Sequence, residues 1–158
     1  MNKKTKKRIL YIGVLGVLIA LSVVYYLFNM PQRDVQSSAT DFTLEASEIV
    51  KEYLTDADEA NKKYLQEDGD SKILVVTGEI SSINTDQNNQ KVILLKGAED
   101  KAGVSCTFTE STNTSTKDLK IGQTIAIKGV IRSGAGYDED LEFYEDVIME
   151  KCDLIKVM

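Results

Sequence analysis

The sequence predicts a mainly β domain, a small five-stranded barrel with one helix before it, set behind a single membrane-crossing helix. Three observations predict it. An uncharged run of twenty residues follows a basic head. Apolar residues recur at helical spacing between 42 and 64. From residue 73 onward, short segments of strand-type alternation are separated by turn signals, with no helical crossover between them.

The run from Ile9 to Phe28 reads ILYIGVLGVLIALSVVYYLF. A helix of that length rises roughly 30 Å, enough to cross the hydrocarbon core of a bilayer. Lys3, Lys4, Lys6, Lys7 and Arg8 precede it, whereas the residues after it carry little charge. Flanking positive charge favours the cytoplasmic side, so the N-terminus is expected in the cytoplasm and the C-terminal part outside it. Tyr25 and Tyr26 suit the headgroup level at the outer end. The rival reading is a cleaved secretory signal, whose apolar part spans about 7–15 residues before a small-x-small site. Here the run is longer and ends in bulky Tyr25, Tyr26, Leu27 and Phe28, and no cysteine follows to carry a lipid. The expected order is a cytoplasmic tail over 1–8, a signal anchor over 9–28, a tether over 29–40 and an exported domain over 41–158. The lipid bilayer is the first expected partner, through residues 9–28.

The formal charge of -6 hides a split. Five of the nineteen Lys and Arg, and none of the twenty-five Asp and Glu, fall in the first eight residues. The remainder carries fourteen bases against twenty-five acids, a formal charge of -11. Such a surface repels phosphate backbones unless a local basic groove offsets it. Lys91, Lys96, Lys101, Lys117, Lys120 and Lys128 are scattered among acids, so nucleic acid is not an expected partner. The chain has no histidine, which excludes Ser-His-Asp triads, Cys-His dyads and histidine-based zinc sites. No catalytic residue, metal ligand set or cofactor is assigned, and an enzyme is not expected.

Within the exported part, Gln32 to Ala39 is polar and aperiodic, and Thr40 or Asp41 is a candidate helix cap. Phe42, Ala46, Ile49, Tyr53, Ala57, Ala60 and Tyr64 form one apolar stripe, which predicts a helix over 42–65, interrupted near Thr55–Asp56. The expected strands are 73–82, 91–95, 103–109, 124–131 and 141–155. Val104, Cys106 and Phe108 share one face of the third, and Ile125 and Ile127 face inward on the fourth. Glu145 and Asp146 predict a bend or split in the last. Gly78 and Gly129 fall inside strand patterns, where glycine marks sharp coiling or a bulge. A closed barrel is favoured because it leaves no unpaired edge.

Two cysteines, Cys106 and Cys152, are too few for a closed thiolate zinc site and too far apart for a CxxC pair. In an oxidising compartment they are a candidate disulfide; the alternative is two buried thiols on neighbouring strands. The acids Asp138, Glu139 and Asp140 suit a hard cation, but lack the spacing of a calcium-binding hand. Phe108, Tyr137, Phe143 and Tyr144 are the aromatic candidates for stacking. Phe108 reads as core, and Tyr137 is followed immediately by three acids.

The segment LKIGQTIAIKGVI, Leu119 to Ile131, resembles the approach to strand four of an OB-fold barrel, with Gly122 at the turn and Gly129 where the strand coils. The exported region as a whole resembles the tRNA_anti-like OB-fold proteins of bacteria. The resemblance runs through ASEIVKEY from Ala46, DEANKKY from Asp58, VVTGEI from Val75, GVSCTF from Gly103, IGQTIAIKG from Ile121 and VIMEKCDLI from Val147. It implies a five-stranded OB-like barrel with an N-terminal helix. It also implies that strand three lies beside strand five, which would bring Cys106 and Cys152 together across the barrel wall. The family contains mostly small envelope-associated proteins, and its name does not establish tRNA binding. Three functions follow as expectations: a membrane-tethered binding or assembly module with an envelope protein partner, a single-stranded nucleic-acid or nucleotide binder, and an extracytoplasmic enzyme. The acidic composition favours the first.

Overall fold

The computed structural model describes residues 3–29, 34–66 and 71–155; within 3–29 it describes the side chains of 11–26, Phe28 and Asn29. The chain divides into two units, Met1–Arg33 and Asp34–Met158. The first unit is one helix, α1 (Lys3–Phe28). Asn29 closes it, its N–H and its side-chain amide both donating to the Tyr25 carbonyl, at 3.0 and 2.9 Å. The described large apolar side chains of α1 are all exposed, from 48% at Val24 to 86% at Phe28. Among the described residues, no helix is long and apolar enough to cross a membrane. Part of the uncharged run, the side chains of Ile9, Leu10 and Leu27, lies outside the described residues.

The second unit contains β1 (Phe42–Glu45), α2 (Ala46–Thr55), α3 (Ala57–Tyr64), β2 (Ile73–Thr85), β3 (Lys91–Leu95), β4 (Val104–Phe108), β5 (Thr124–Ser133), β6 (Gly136–Asp138), β7 (Phe143–Glu145) and β8 (Val147–Leu154). The sheet order β1-β2-β3-β4-β8-β5 closes through β2–β5 pairing, so five strands form a barrel and β1 adds to its side. The strand β2 makes closure possible. Its first half pairs with β5 and its second half with β3, and the register shifts between Ile80 and Ser82. One long strand thus serves both ends of the sheet by bending, as a bulge allows. The pairing of β4 with β8 is parallel, which puts the third barrel strand beside the fifth, as expected.

Alternation decides the core. On β4, Val104, Cys106 and Phe108 are fully buried while Ser105 and Thr107 are half-buried. Ile93 and Leu95 on β3, Ile127 and Ile131 on β5, and Val147 and Met149 on β8 complete the interior. Gly122 takes φ +85° at the turn into β5, a conformation few other residues adopt. Gly129 lies at the β5–β8 irregularity between Lys128 and Val130. A Cβ there would stand 2.6 Å from Cys152 Sγ, so the bulge glycine makes room for the thiol.

The helical region differs from expectation at its start. Phe42–Glu45 is a strand, parallel to β2 with Phe42 opposite Leu74. The helix is capped not by Thr40 or Asp41 but by Glu45, which forms a reciprocal capping box with Glu48. Asp41 instead joins the sheet: its carboxylate accepts the Ile73 N–H, and its own N–H donates to the Ile73 carbonyl, each at 2.8 Å. Phe42 still meets the stripe, its ring edge-on to Tyr64 at 5.3 Å. A strand alternates with period two and places Phe42 and Leu44 on one side, whereas the expected helix used Phe42 and Ala46. The expected interruption is present: Asp56 ends α2 and caps α3, accepting the Glu59 N–H at 3.0 Å.

The tether read over 29–40 is shorter in the structure. Val35 is 3% exposed and forms a second small core with Ile73 and Val130. Lys128, only 8% exposed, donates its ammonium to the carbonyls of Gln36 (3.0 Å) and Ser38 (2.5 Å). The Gln36 amide returns to the Lys151 carbonyl at 2.6 Å. Residues 34–40 are therefore stitched onto the barrel; of the expected tether, 30–33 lie outside the described residues.

Candidate binding face

In barrels of this topology, ligands bind on the outer face of strands two and three, between the loop joining strands one and two and the loop joining strands four and five. Here that face is β3 and β4. Its outward side chains pair as Val92 with Thr107 and Leu94 with Ser105, and Ser105 also lies opposite Ile148 on β8. The face is thus apolar and hydroxylic, with no charge at its centre. Its lysines lie at the margins and are engaged. Lys91 donates to Thr85 Oγ1 at 2.8 Å, and Lys96 to the Lys101 carbonyl at 3.0 Å.

The first flanking loop, 86–90, is a tight turn held by the Asp86 carboxylate, which accepts the N–H groups of Asn88 (2.9 Å) and Gln90 (2.8 Å). The second, 134–146, begins before the strand expected over 141–155. It is a hairpin, β6 against β7, with Tyr137 opposite Tyr144. Their rings lie 4.8 Å apart at 49°. Lys101 places its ammonium 5.2 Å from the Tyr144 ring centre. Asp138 turns the tip by accepting the N–H groups of Asp140 and Leu141, both at 2.9 Å. Asp146 ends β7 and accepts the Gly103 N–H at 2.6 Å, which explains the predicted split before Val147. Asp138, Glu139, Asp140, Glu142, Glu145 and Asp146 give this hairpin six acids and no base. The segment 86–108, which carries the rest of the face, balances three bases against three acids.

The helices fasten to the base of this hairpin. The Tyr53 ring lies directly on the Gly134 backbone. Its hydroxyl is buried without a hydrogen-bond partner. Burial, then the negative potential of the neighbouring Tyr64 and Glu52, pushes its ionisation up to about 12. Glu52 itself is held low despite burial, because Lys63 (2.9 Å) and the Tyr64 hydroxyl (2.8 Å) donate to it.

Cys106 and Cys152 stand on the paired strands β4 and β8. Both are free, fully buried thiols. Cys106 lies opposite Met149 and Cys152 opposite Phe108. A two-residue stagger between adjacent strands puts the Cα atoms roughly 8 Å apart. Disulfides need about 4.4–6.8 Å. Burial, then the adjacent Cys106 thiol, pushes the Cys152 thiol well up, which keeps it protonated. Among the described residues, no group of three His, Cys, Asp or Glu is placed to hold a metal ion.

A closed five-stranded barrel of this order defines an OB-fold domain. The tRNA_anti-like family model matches residues 1–140, and the chain belongs to that family. Among solved structures it is similar to a candidate nucleic acid-binding lipoprotein of Klebsiella pneumoniae, with 13% identity, a TM-score of 0.52, and coverage of 80% of this chain and 100% of the other. It is also similar to an OBody solved bound to hen egg-white lysozyme, with 16% identity, a TM-score of 0.37, and coverage of 55% and 98%. No curated protein sequence matches the chain.

Proposed function

We propose that this protein is a membrane-tethered, extracytoplasmic OB-fold module that binds a protein partner of the envelope rather than nucleic acid or a reaction substrate. The observation that carries this reading is the hairpin 134–146. The loop that would clasp a strand has six acids and no base; of the lysines beside it, Lys96 donates to the Lys101 carbonyl and Lys101 sets its ammonium over the Tyr144 ring. Strand binding needs positive charge beside exposed rings, and here the exposed rings stand among carboxylates. Tethering is supported by the basic residues before an uncharged run and by the all-round apolar exposure of α1, a pattern that suits lipid. The Klebsiella neighbour is a candidate lipoprotein, which agrees with an anchored role.

The second reading, single-stranded nucleic-acid binding, is favoured by that neighbour's name and by the fold, since OB barrels bind oligonucleotides on this face. Titration of a labelled mixed-sequence oligonucleotide at physiological salt separates the two. Binding weaker than about 100 μM is expected, near the non-specific range. Saturable, salt-sensitive binding below about 1 μM would replace the proposal with the second reading. Tethering is tested separately: protease added outside the cytoplasmic membrane should degrade the barrel, and protection equal to that of a cytoplasmic control would refute the orientation.

A further inference from the structure

We infer that the hairpin 134–146 is the docking element for a lysine- or arginine-rich segment of the partner protein, gripped between the Tyr137–Tyr144 ring pair and the surrounding carboxylates. The inference rests on the binding-module reading above and names the partner's chemistry. Three large apolar side chains of this short hairpin stand in solvent: Tyr137 is 51% exposed, Leu141 67% and Phe143 46%. None of the three belongs to the core cluster or packs against it. The chain already shows what the ring pair accepts. Lys101 sets an ammonium over Tyr144, at a distance where the ring's negative face attracts a cation. Tyr137, the more open ring of the pair, offers a second such face.

Charge complementarity selects the occupant. Glu139, Asp140 and Glu142 are exposed in the turn that joins the strands carrying the two rings, and Glu145, opposite Gly136, is exposed on the other face. Asp138 is occupied in shaping the tip. An anionic or neutral partner would leave these carboxylates uncompensated against an apolar contact. A segment with alternating cationic and apolar side chains satisfies both, placing ammonium or guanidinium groups over the rings and its aliphatic stems against Leu141 at the tip.

The test uses the full chain in nanodiscs of zwitterionic lipid and a fluorescent peptide of alternating lysine, leucine and arginine, read by anisotropy. Saturable binding is expected. Tyr137→Ala should weaken it about two- to fivefold, as loss of one exposed cation–π contact implies. The triple change E139Q/D140N/E142Q should weaken it about tenfold, the sum of three exposed ion pairs. The control D58N/E110Q/D118N removes the same charge at exposed sites elsewhere and should leave affinity within twofold. Equal loss in control and hairpin variants would reduce the effect to the diffuse field of an acidic protein and overturn the inference. So would an unchanged affinity in Tyr137→Ala, or displacement of the peptide by millimolar calcium that itself saturates the hairpin. Photo-crosslinking from the peptide onto wild-type protein guards against misfolded variants, because crosslinks outside 134–146 also overturn it. Absence of both peptide and oligonucleotide binding defeats this inference alone; oligonucleotide binding defeats the underlying reading.

Discussion

Replacing Gly134 by Ala tests how the helices are fastened to the barrel. A Cβ at Gly134 would lie 1.9, 2.1 and 2.5 Å from three carbons of the Tyr53 ring. Carbon atoms in ordinary contact sit about 3.5–4.0 Å apart, so ring and backbone must separate by roughly 1.5 Å or more. The ring has little freedom to do so. Tyr53 is 3% exposed, Tyr64 lies 6.0 Å away centre to centre, and its helix is held by buried Ala46, Ile49 and Val50. Overpacking of this kind costs about 1–3 kcal/mol, and the size of the clash puts this case at the upper end. Gly134 does not have a positive φ, so alanine recovers up to about 1 kcal/mol by restricting the unfolded chain. The net destabilisation is about 2 kcal/mol. For a unit the size of 34–158, that is a fall in Tm of about 6–10 °C. Thermal melting of residues 34–158 by circular dichroism measures it. On a Tyr53→Ala background the same substitution should cost less than about 0.5 kcal/mol, because its collision partner is gone. A fall of less than 2 °C, or an equal cost in both backgrounds, would refute the contact.

Ile49→Asp should cost about 4 kcal/mol or more by placing a carboxylate in a fully buried apolar site, and a Tm within 3 °C of wild type would show that α2 does not pack on the barrel. Tyr53→Phe should be neutral or stabilising by up to about 1 kcal/mol, since it removes a buried hydroxyl with no partner; a loss above that, measured in urea, would reveal a hydrogen bond. The same tyrosine makes the fold sensitive to alkali: its folded ionisation is raised to about 12, so its contribution is complete below pH 10 and is lost between pH 10 and 12, a loss that Tyr53→Phe should abolish. Protein purified without reductant should keep both thiols, giving an intact mass without loss of two hydrogens and two reactive thiols only in denaturant; an oxidised mass would show that β4 and β8 approach more closely than their register allows.

Periodicity made much of the barrel legible. The alternation at Val104, Cys106 and Phe108 is a local signal, and each of those residues is buried as it requires. Gly122 and Gly129 carried their positions in the chain because a positive φ and a crowded bulge leave few alternatives to glycine. The start of the helix misled because Phe42 fits two periods at once, four residues before Ala46 on a helix and opposite Leu74 on a strand. The Glu45 and Glu48 pair was the available signal, a capping box built from two glutamates. The hairpin was hidden because β6 and β7 have three residues each, too few to show a period.

The uncharged run behind a basic head, the acidic balance of everything after it, and the inward faces of the longer strands are all readable from the chain without its fold. These follow from composition and from spacing within one element, which need no partner to be read. Tertiary structure alone decided where the chain closes, what the polar segment before β1 does, and which rings remain outside. Val35 and Lys128 are ninety-three residues apart along the chain, yet both hold the segment 34–40 against β5. Tyr53 is buried and Tyr137 exposed although both are tyrosines, because one lies beneath Gly134 and the other beyond it. Burial of a given side chain is a property of the surfaces brought against it, and those come from distant parts of the chain.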